Sequence, residues 1–169
     1  MFLKRLFARK PDVAAILYGA IVASARQEKF YAQWGVPDSI EGRFDMISLH
    51  LFLLLDRLKG GGADVEKARQ ALTDTFFDDM DRSLREMGVG DLSVGKKVRK
   101  MAEAFYGRVK AYAAALQRGV GLGEALRRNI HPESEGASVT ELAAWVEDAR
   151  SSLQQQSITD IMAGKVSFP

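Results

Sequence analysis

DTFFDDMDRSLREMGVGDLSVGKKVRKMAEAFYGR, residues 74–108, is an acidic helical pattern followed by a glycine-punctuated turn and a basic helical pattern. Apolar side chains recur at helical spacing before the turn; they are Leu72, Phe76, Met80, Leu84 and Met87. The same spacing continues after the turn through Val94, Val98, Met101, Phe105, Val109, Tyr112 and Leu116. Because this spacing places side chains on one face of a helix, the segment predicts two helices, each with an apolar stripe that needs a partner.

The turn between these two helices carries its own signals. Gly88 is placed to end the first helix in the left-handed conformation that glycine adopts without strain. Asp91 or Ser93 can cap the second helix, because a short side-chain oxygen accepts the free backbone N–H groups of a first turn. The segment therefore predicts an antiparallel helical hairpin with an acidic arm and a basic arm.

Helix signals also occur on both sides of the hairpin. Asp12 leads an apolar pattern from Val13 to about Phe30, and Asp38 with Glu41 makes a capping pair before the next helix. The same reasoning predicts helices over residues 40–58, from residue 64 into the hairpin, over residues 122–130 and from Ser138 or Thr140 onward, with a polar loop at residues 132–138 and a docked apolar end at residues 160–169.

The segment at residues 40–58 contains MISLHLFLLLDRL, which is apolar on nearly every side. Such a helix belongs in the middle of a bundle. Its uncharged run from Met46 to Leu55 is too short to span a bilayer, which needs about 20 apolar residues. No alternating strand pattern of useful length and no repeat period accompany it. We therefore predict an all-α, single-domain bundle of about six or seven helices with this helix buried at its centre.

Composition limits the possible classes of protein. A chain of 169 residues fits one domain, which we place at residues 11–169 after a leader at residues 1–10. The absence of cysteine excludes a disulfide framework and thiolate metal sites. A net charge of +2 gives little support to nucleic-acid binding by bulk charge, and we expect no DNA partner. Any electrostatic function must therefore come from local patches.

The first ten residues, MFLKRLFARK, form one such patch, with Lys4, Arg5, Arg9 and Lys10 interleaved among apolar side chains. With the apolar segment that follows, the leader imitates a secretory signal, although Pro11 and Asp12 interrupt the join as the start of an ordinary helix does. A basic amphipathic leader can also lie on an anionic membrane surface, or it can be a frayed terminus. We predict these four cations as membrane-proximal residues.

Gly90 to Lys97, GDLSVGKK, matches the glycines and the first lysine of a phosphate-binding P-loop. Lys97 stands where that motif needs Ser or Thr to coordinate magnesium, and the segment before Gly90 has a helical rather than a strand period. Since the strand-loop-helix context of the motif is missing, we predict no nucleotide hydrolysis.

Other chemical motifs are sparse. Asp78, Asp79 and Asp81 do not share one helix face and have no second acidic cluster at metal-ligand spacing, so we interpret them as a solvated surface. His50 lies within the apolar helix and His131 beside a proline, where a core or capping role is the simpler interpretation. We therefore predict no catalytic residue, no metal site and no cofactor, and a protein that is not an enzyme.

The charge pattern of the basic arm is unusual. Lys96, Lys97, Arg99 and Lys100 crowd the first turns of a helix, where the helix dipole disfavours cations. One interpretation is that Asp91 and the acids of the preceding helix neutralise them. The other is a docking surface for an acidic or anionic partner, reinforced by Arg108. On the second interpretation the partner-binding residues are Asp81, Arg85, Lys96, Lys97, Lys100 and Arg108.

Three blocks carry a family resemblance: FYAQWGVPDSIEGRFDMISLHLFLLLDRL at residues 30–58, REMGVGDLSVGKKVRKMAEAFYGR at residues 85–108 and AGKVSFP at residues 163–169. Together they resemble the ubiquinol-cytochrome c chaperone family, over nearly the whole chain. The resemblance implies a non-enzymatic, all-helical protein that assists biogenesis of the cytochrome bc1 complex. Mitochondrial relatives bind newly made cytochrome b and act near the ribosome and inner membrane with a partner protein. This chain lacks an evident transit extension, as a bacterial member would.

From the residues and the resemblance together, we expect a chaperone that transiently binds newly made cytochrome b, in the cytoplasm and peripheral to the inner membrane. An apolar groove bordered by the hairpin would shield the client. A partner assembly protein, the ribosome and an anionic membrane surface are further expected partners. Two alternatives stay open: a small lipid- or quinone-binding helical protein at the membrane surface, and a ribosome-contacting interaction module.

Overall fold

The computed structural model describes residues 12–130 and 137–169, which form seven α-helices and one π-helical turn and contain no strand. The helices are α1 (Val13–Ala25), α2 (Ile40–Leu58), α3 (Ala63–Glu86), α4 (Asp91–Arg118), α5 (Leu122–Ile130), α6 (Ala137–Gln155) and α7 (Ile158–Met162). The predicted all-α helical bundle is therefore confirmed.

Helix α2 lies at the centre of the bundle and packs against α1, α3, α4, α5 and α6. Every residue from Phe44 to Leu54 is buried, which explains why this segment is apolar on nearly all sides. Both ends of α2 agree with the sequence prediction. Helices on several sides of α2 cover it, and the flanking helices need only one apolar face each.

Helices α3 and α4 form the predicted antiparallel hairpin. Phe76 of α3 and Phe105 of α4 pack with ring centroids 5.3 Å apart, so this part of the apolar stripe belongs to the core. Gly88 has a φ of 86° and closes α3 as predicted. The predicted cap of α4 is wrong: Gly90 is the N-cap without a side-chain bond, and the carboxylate of Asp91 pairs with Arg85 instead.

Two other helix ends test the predicted capping residues. Asp12 caps α1 as expected, by accepting hydrogen bonds from the N–H groups of the second and third helical residues. Ser39, and not Asp38, caps α2, since its hydroxyl accepts the N–H of Gly42 at 3.1 Å while Asp38 pairs with Arg43.

Helix α1 is shorter than predicted, because it ends at Ala25 and a π-helical turn follows at Lys29–Gln33. The hydroxyl of Tyr31 donates a hydrogen bond of 2.8 Å to the carbonyl of Ala25, which satisfies a backbone group left free at the helix end. The turn also places Phe30 in the core, with its ring centroid 4.9 Å from that of Trp145.

The segment after α7 packs on the bundle, as its apolar residues predict. The ring of Phe168 lies 5.1 Å from that of His50, and the N–H of Ser167 donates to the side chain of Gln156 at 3.0 Å. The leader at residues 1–10, His131 and residues 132–136 of the predicted polar loop lie outside the described residues. Among the helices of the described part, none has the length and apolar character needed to cross a membrane.

Candidate functional site

A groove runs between the first half of α2 and the α3–α4 hairpin. It consists of two adjoining cavities of about 320 and 490 Å³ that share the side chains of Ile40, Phe44, Leu84 and Met101. Ile40 is 56% exposed although it is a large apolar residue. We call this feature the hairpin groove. The exposure of Ile40 shows that apolar surface at the start of α2, beside the hairpin, faces solvent instead of the core.

Lys97 and Lys100 form one edge of the larger cavity. Both side chains are exposed, and within residues 12–130 and 137–169 neither makes an ion pair. Asp91, which could have neutralised them, pairs with Arg85 at the end of the preceding helix. Neither Asp91 nor an acid of α3 forms an ion pair with the lysine cluster within the described residues, so two cations without an ion pair lie at an apolar opening.

The smaller cavity has edges of mixed charge. Arg26 and Arg43 line one side, and Asp79 and Glu86 line the other. Asp79 accepts a 2.8 Å hydrogen bond from the hydroxyl of Tyr18. Burial and the nearby carboxylate both raise the pKa of Tyr18, so its hydroxyl keeps its proton. The smaller cavity therefore carries both signs of charge, whereas Lys97 and Lys100 at the larger cavity accompany one acid, Glu41, that has no ion pair among the described residues.

Asp45 and Arg108 lie at the inner wall of the larger cavity. Nη2 of Arg108 is 2.6 Å from Oδ1 of Asp45, and their side chains are only 16% and 7% exposed. The guanidinium also lies 5.3 Å from the ring centre of Phe44 and donates to the carbonyl of Asn129 at 3.4 Å. Arg108 thus joins α4 to α2 and α5 below the groove.

Burial determines the protonation of this pair. Loss of solvent raises the pKa of Asp45 to about 7, although the Arg108 guanidinium acts in the opposite direction. Close to Asp45, the buried hydroxyls of Ser48 and Tyr112 lack a hydrogen-bond partner within the described protein. Polar groups buried without a partner are costly, so these two hydroxyls lower the stability of the packing between α2 and α4.

The six predicted partner-binding residues fall into three places. Lys97, Lys100 and Arg108 line the hairpin groove, with Arg108 as a buried member. The remaining three lie elsewhere on the hairpin: Lys96 on the exposed side of α4, and Asp81 and Arg85 in a chain of ion pairs that ends at Asp91.

Sequence reasoning missed three residues of the groove. They are Ile40, Phe44 and Asp45 of α2. An acid directly before the uncharged run of α2 is a signal that could have identified Asp45, because a buried acid requires a cation nearby. The exposure of Ile40 had no such signal.

His50 occupies the core, as predicted. Its Nδ1–H donates to the carbonyl of Met46 at 2.7 Å, which leaves Nε2 as the acceptor of a 3.0 Å hydrogen bond from the hydroxyl of Ser24. Burial lowers the pKa of His50 to about 4, so the ring is neutral. Its hydrogen bonds and aromatic neighbours assign it to packing.

The acidic cluster on α3 is used in local pairs. Asp79 pairs with Tyr18 and Arg82, and Asp81 accepts a 2.5 Å hydrogen bond from Arg85. Over the described residues, no three potential ligands among His, Asp and Glu lie close enough to hold a metal ion. These carboxylates therefore act as partners of cations on the helix surface.

Three comparisons place the chain among known proteins. The model of the ubiquinol-cytochrome C chaperone family matches residues 32–168. The ubiquinol-cytochrome-c reductase complex assembly factor 1 of Xenopus laevis is 23% identical over 104 residues, which are 61% of this chain and 52% of that protein. This chain thus spans about half the length of that relative. The crystal structure of the Cbp3 homolog from Brucella abortus has a TM-score of 0.86 and 42% identity, covering 98% of this chain and 93% of that one.

Proposed function

The chain belongs to the ubiquinol-cytochrome c chaperone family, and from this premise we propose that it assists assembly of the cytochrome bc1 complex by transiently binding newly made cytochrome b. The family name and the assembly-factor name of the Xenopus relative support a chaperone of this complex and a protein that is not an enzyme. The proposal adds two details: the client is cytochrome b, and the protein acts at or near the membrane.

The hairpin groove is the observation that carries this proposal. A client of a membrane complex exposes apolar side chains until it is assembled, and an open apolar groove can cover them. Lys97 and Lys100 at its edge are free to meet acidic groups of the client, which adds attraction and orientation.

The dimensions of the groove favour brief contact. Cavities of about 320 and 490 Å³ hold a few side chains and not a whole helix. A small contact area gives a weak complex, and weak complexes dissociate quickly. Such a chaperone protects its client and still releases it without an energy source.

Charge reversal at the groove edge tests the proposal. We expect Lys97→Glu with Lys100→Glu, or Ile40→Glu alone, to reduce crosslinked cytochrome b at least about fivefold in pull-downs from solubilised membranes. Because all three side chains are exposed, the midpoint of thermal unfolding should stay within a few degrees of the wild-type value.

The matched control is Lys59→Glu with Lys110→Glu, which makes the same charge change at exposed lysines outside the groove. Cytochrome b should be recovered with this variant as with the wild type. Equal recovery with the groove variants would contradict the groove as the client site. Failure of the wild type to enrich cytochrome b under mild crosslinking would contradict the client itself.

The remaining predicted contacts stay proposals. Lys4, Arg5, Arg9 and Lys10 lie in the leader, outside the described residues, as a membrane-proximal patch. A partner assembly protein and the ribosome are the other proposed partners. A ribosome contact through the basic surface would weaken steeply with salt. The lipid- or quinone-binding alternative requires an enclosed apolar cavity, whereas the hairpin groove opens to solvent.

A further inference from the structure

The end of the α3–α4 hairpin exposes two large apolar side chains, of which Leu92 lies outside the hairpin groove and Met87 lines its smaller cavity. Leu92, in the first turn of α4, has a relative exposure of 101%, and Met87, at the end of α3, has 47%. We call residues 87–92 the hairpin tip. Leu92 lines neither cavity of the hairpin groove, and its full exposure shows that the side chain projects into solvent.

Four cations follow the tip along α4: Lys96, Lys97, Arg99 and Lys100. Successive helical residues turn by about 100°, so these side chains spread around nearly half of the helix circumference. All four are exposed, and in the described part of the chain they form no ion pair. Cations without an ion pair therefore cover the exposed side of α4 in the turns that directly follow the tip.

The acids near the tip do not cancel this band. Asp81 and Asp91 both pair with Arg85. Glu86 is exposed and faces the smaller cavity, and Glu103 lies one turn beyond Lys100. Residues 81–100 hold six cationic and three acidic side chains, so positive charge dominates this end of the molecule.

The spacing along α4 matches the layers of a membrane surface. With a rise of about 1.5 Å per residue, the cations lie about 6 to 12 Å behind Leu92 along the helix axis. An interfacial segment buries its apolar groups about 5 to 10 Å into the boundary of headgroups and acyl chains. With Leu92 at that depth, the cations lie level with anionic lipid phosphates.

We propose that the hairpin tip inserts into the interface of an anionic bilayer, with Leu92 and Met87 among the upper acyl chains and the four cations at the phosphates. A fluid bilayer accepts a convex apolar tip without a shaped pocket, whereas a protein partner would need one. This contact shares Met87, Lys97 and Lys100 with the hairpin groove, whereas Leu92, Lys96 and Arg99 lie outside the groove. It differs from any contact made by the leader.

Sedimentation with vesicles tests the contact on the full chain. We expect binding to vesicles with about 30% phosphatidylglycerol and little binding to pure phosphatidylcholine. Lys96→Glu with Arg99→Glu should weaken binding at least tenfold, since each cation near an anionic surface contributes about fivefold. Leu92→Ser should also weaken it, because the inserted side chain is lost. Two matched controls should bind as the wild type does: Val120→Ser, at another exposed apolar residue, and Lys59→Glu with Lys110→Glu.

The absence of cysteine allows a direct measurement of insertion. Leu92→Cys and Val120→Cys each provide a single thiol for a fluorophore sensitive to polarity. On anionic vesicles the emission at position 92 should shift to the blue, and the emission at position 120 should not change.

Several results would overturn the proposal. One is that the wild type does not sediment with anionic vesicles, and another is that the Leu92→Ser and the Lys96→Glu with Arg99→Glu variants bind as well as the wild type. A third is that the emission at position 92 stays unchanged on anionic vesicles. The last is that deleting residues 2–10 alone abolishes binding completely. None of these measurements involves cytochrome b, so failure of the tip and failure of the proposed client are distinguishable.

Discussion

Asp45 and Arg108 show how one buried ion pair sets the geometry of the groove. Removing a carboxylate from water raises its pKa to about 7, and the nearby guanidinium compensates only in part. Buried pairs of this kind contribute little net stability, but the loss of one partner leaves an uncompensated charge. The pair therefore holds α4 against α2 at a fixed register, directly below Lys97 and Lys100.

The contributions of two buried residues, His50 and Asp45, to the free energy of unfolding change with pH in opposite directions. In the unfolded chain His50 takes up a proton near pH 6.5, whereas burial lowers its pKa in the fold to about 4. Its contribution to stability is therefore lost as the pH falls through this range. Burial raises the pKa of Asp45 from 3.8 to about 7, so the folded chain binds the extra proton, and its contribution is lost as the pH rises through the same range.

The substitution Asp45→Asn should separate these two effects. Without the carboxyl group the contribution of His50 acts alone, so the free energy of unfolding should fall more steeply between pH 7 and pH 4.5 than in the wild type. Urea unfolding at several pH values measures this slope. His50→Gln is the opposite control and should flatten or invert the slope. Parallel slopes for Asp45→Asn and the wild type would show that Asp45 holds no extra proton in the fold.

At the scale of elements, the hairpin depends on two glycines with opposite roles. Gly88 has a φ of 86°, which other residues adopt only with strain. Gly95 lies inside α4, where an added Cβ would have no neighbour within 4 Å. Replacement by alanine therefore meets backbone strain at the first position and improves helix propensity at the second.

We expect Gly88→Ala to lower the free energy of unfolding by about 1 kcal/mol. Gly95→Ala should raise it by about 0.5 to 1 kcal/mol, because alanine favours an exposed helix interior. Urea unfolding of the two variants under identical conditions makes the comparison. An unchanged or higher free energy of unfolding for Gly88→Ala would mean that the turn does not require the left-handed conformation of Gly88.

The helices could largely be predicted from sequence, as could two of their end residues, Asp12 and Gly88, whereas the caps of α2 and α4 could not. Periodicity identified both ends of α2, because its apolar run is long and is followed by glycines. Asp38 and Ser39 are both good caps, and the choice depends on the pairing of Asp38 with Arg43, which is a contact in space. Likewise, Asp91 is suited to capping α4, but its carboxylate forms an ion pair with Arg85 across the turn.

The candidate site was predicted in part for a similar reason. The run of cations on α4 is visible in the sequence, and helical spacing puts Lys97, Lys100 and Arg108 near one stripe. Burial of Arg108 depends on Asp45, which is far away in the chain and on another helix. The open groove beside Ile40 depends on how closely the hairpin approaches α2, which periodicity does not report.

At the scale of the whole molecule, residues of the same type serve different purposes: some leucines stabilise the core and others lie on the surface. Leu51 of α2 is 0% exposed, and Leu92 of the hairpin tip is fully exposed. Truncation of the first removes core contacts on all sides, whereas truncation of the second removes contacts only with water.

Leu51→Ala should therefore lower the free energy of unfolding by about 2 to 5 kcal/mol. Leu92→Ala should change it by less than about 0.5 kcal/mol. Chemical denaturation followed by circular dichroism measures both values. A large loss of stability for Leu92→Ala would show that the tip packs on the protein and is not available to a bilayer.

Helix α4 is a single element of 28 residues, so it is about 42 Å long. With its first turn at a bilayer and its axis steeply inclined, the far end near Arg118 stands several nanometres above the lipid. That end packs against α5, on the side of the bundle remote from the tip. The helix thereby acts as a spacer that keeps the distal surface of the molecule accessible from the aqueous phase while the proximal end is anchored.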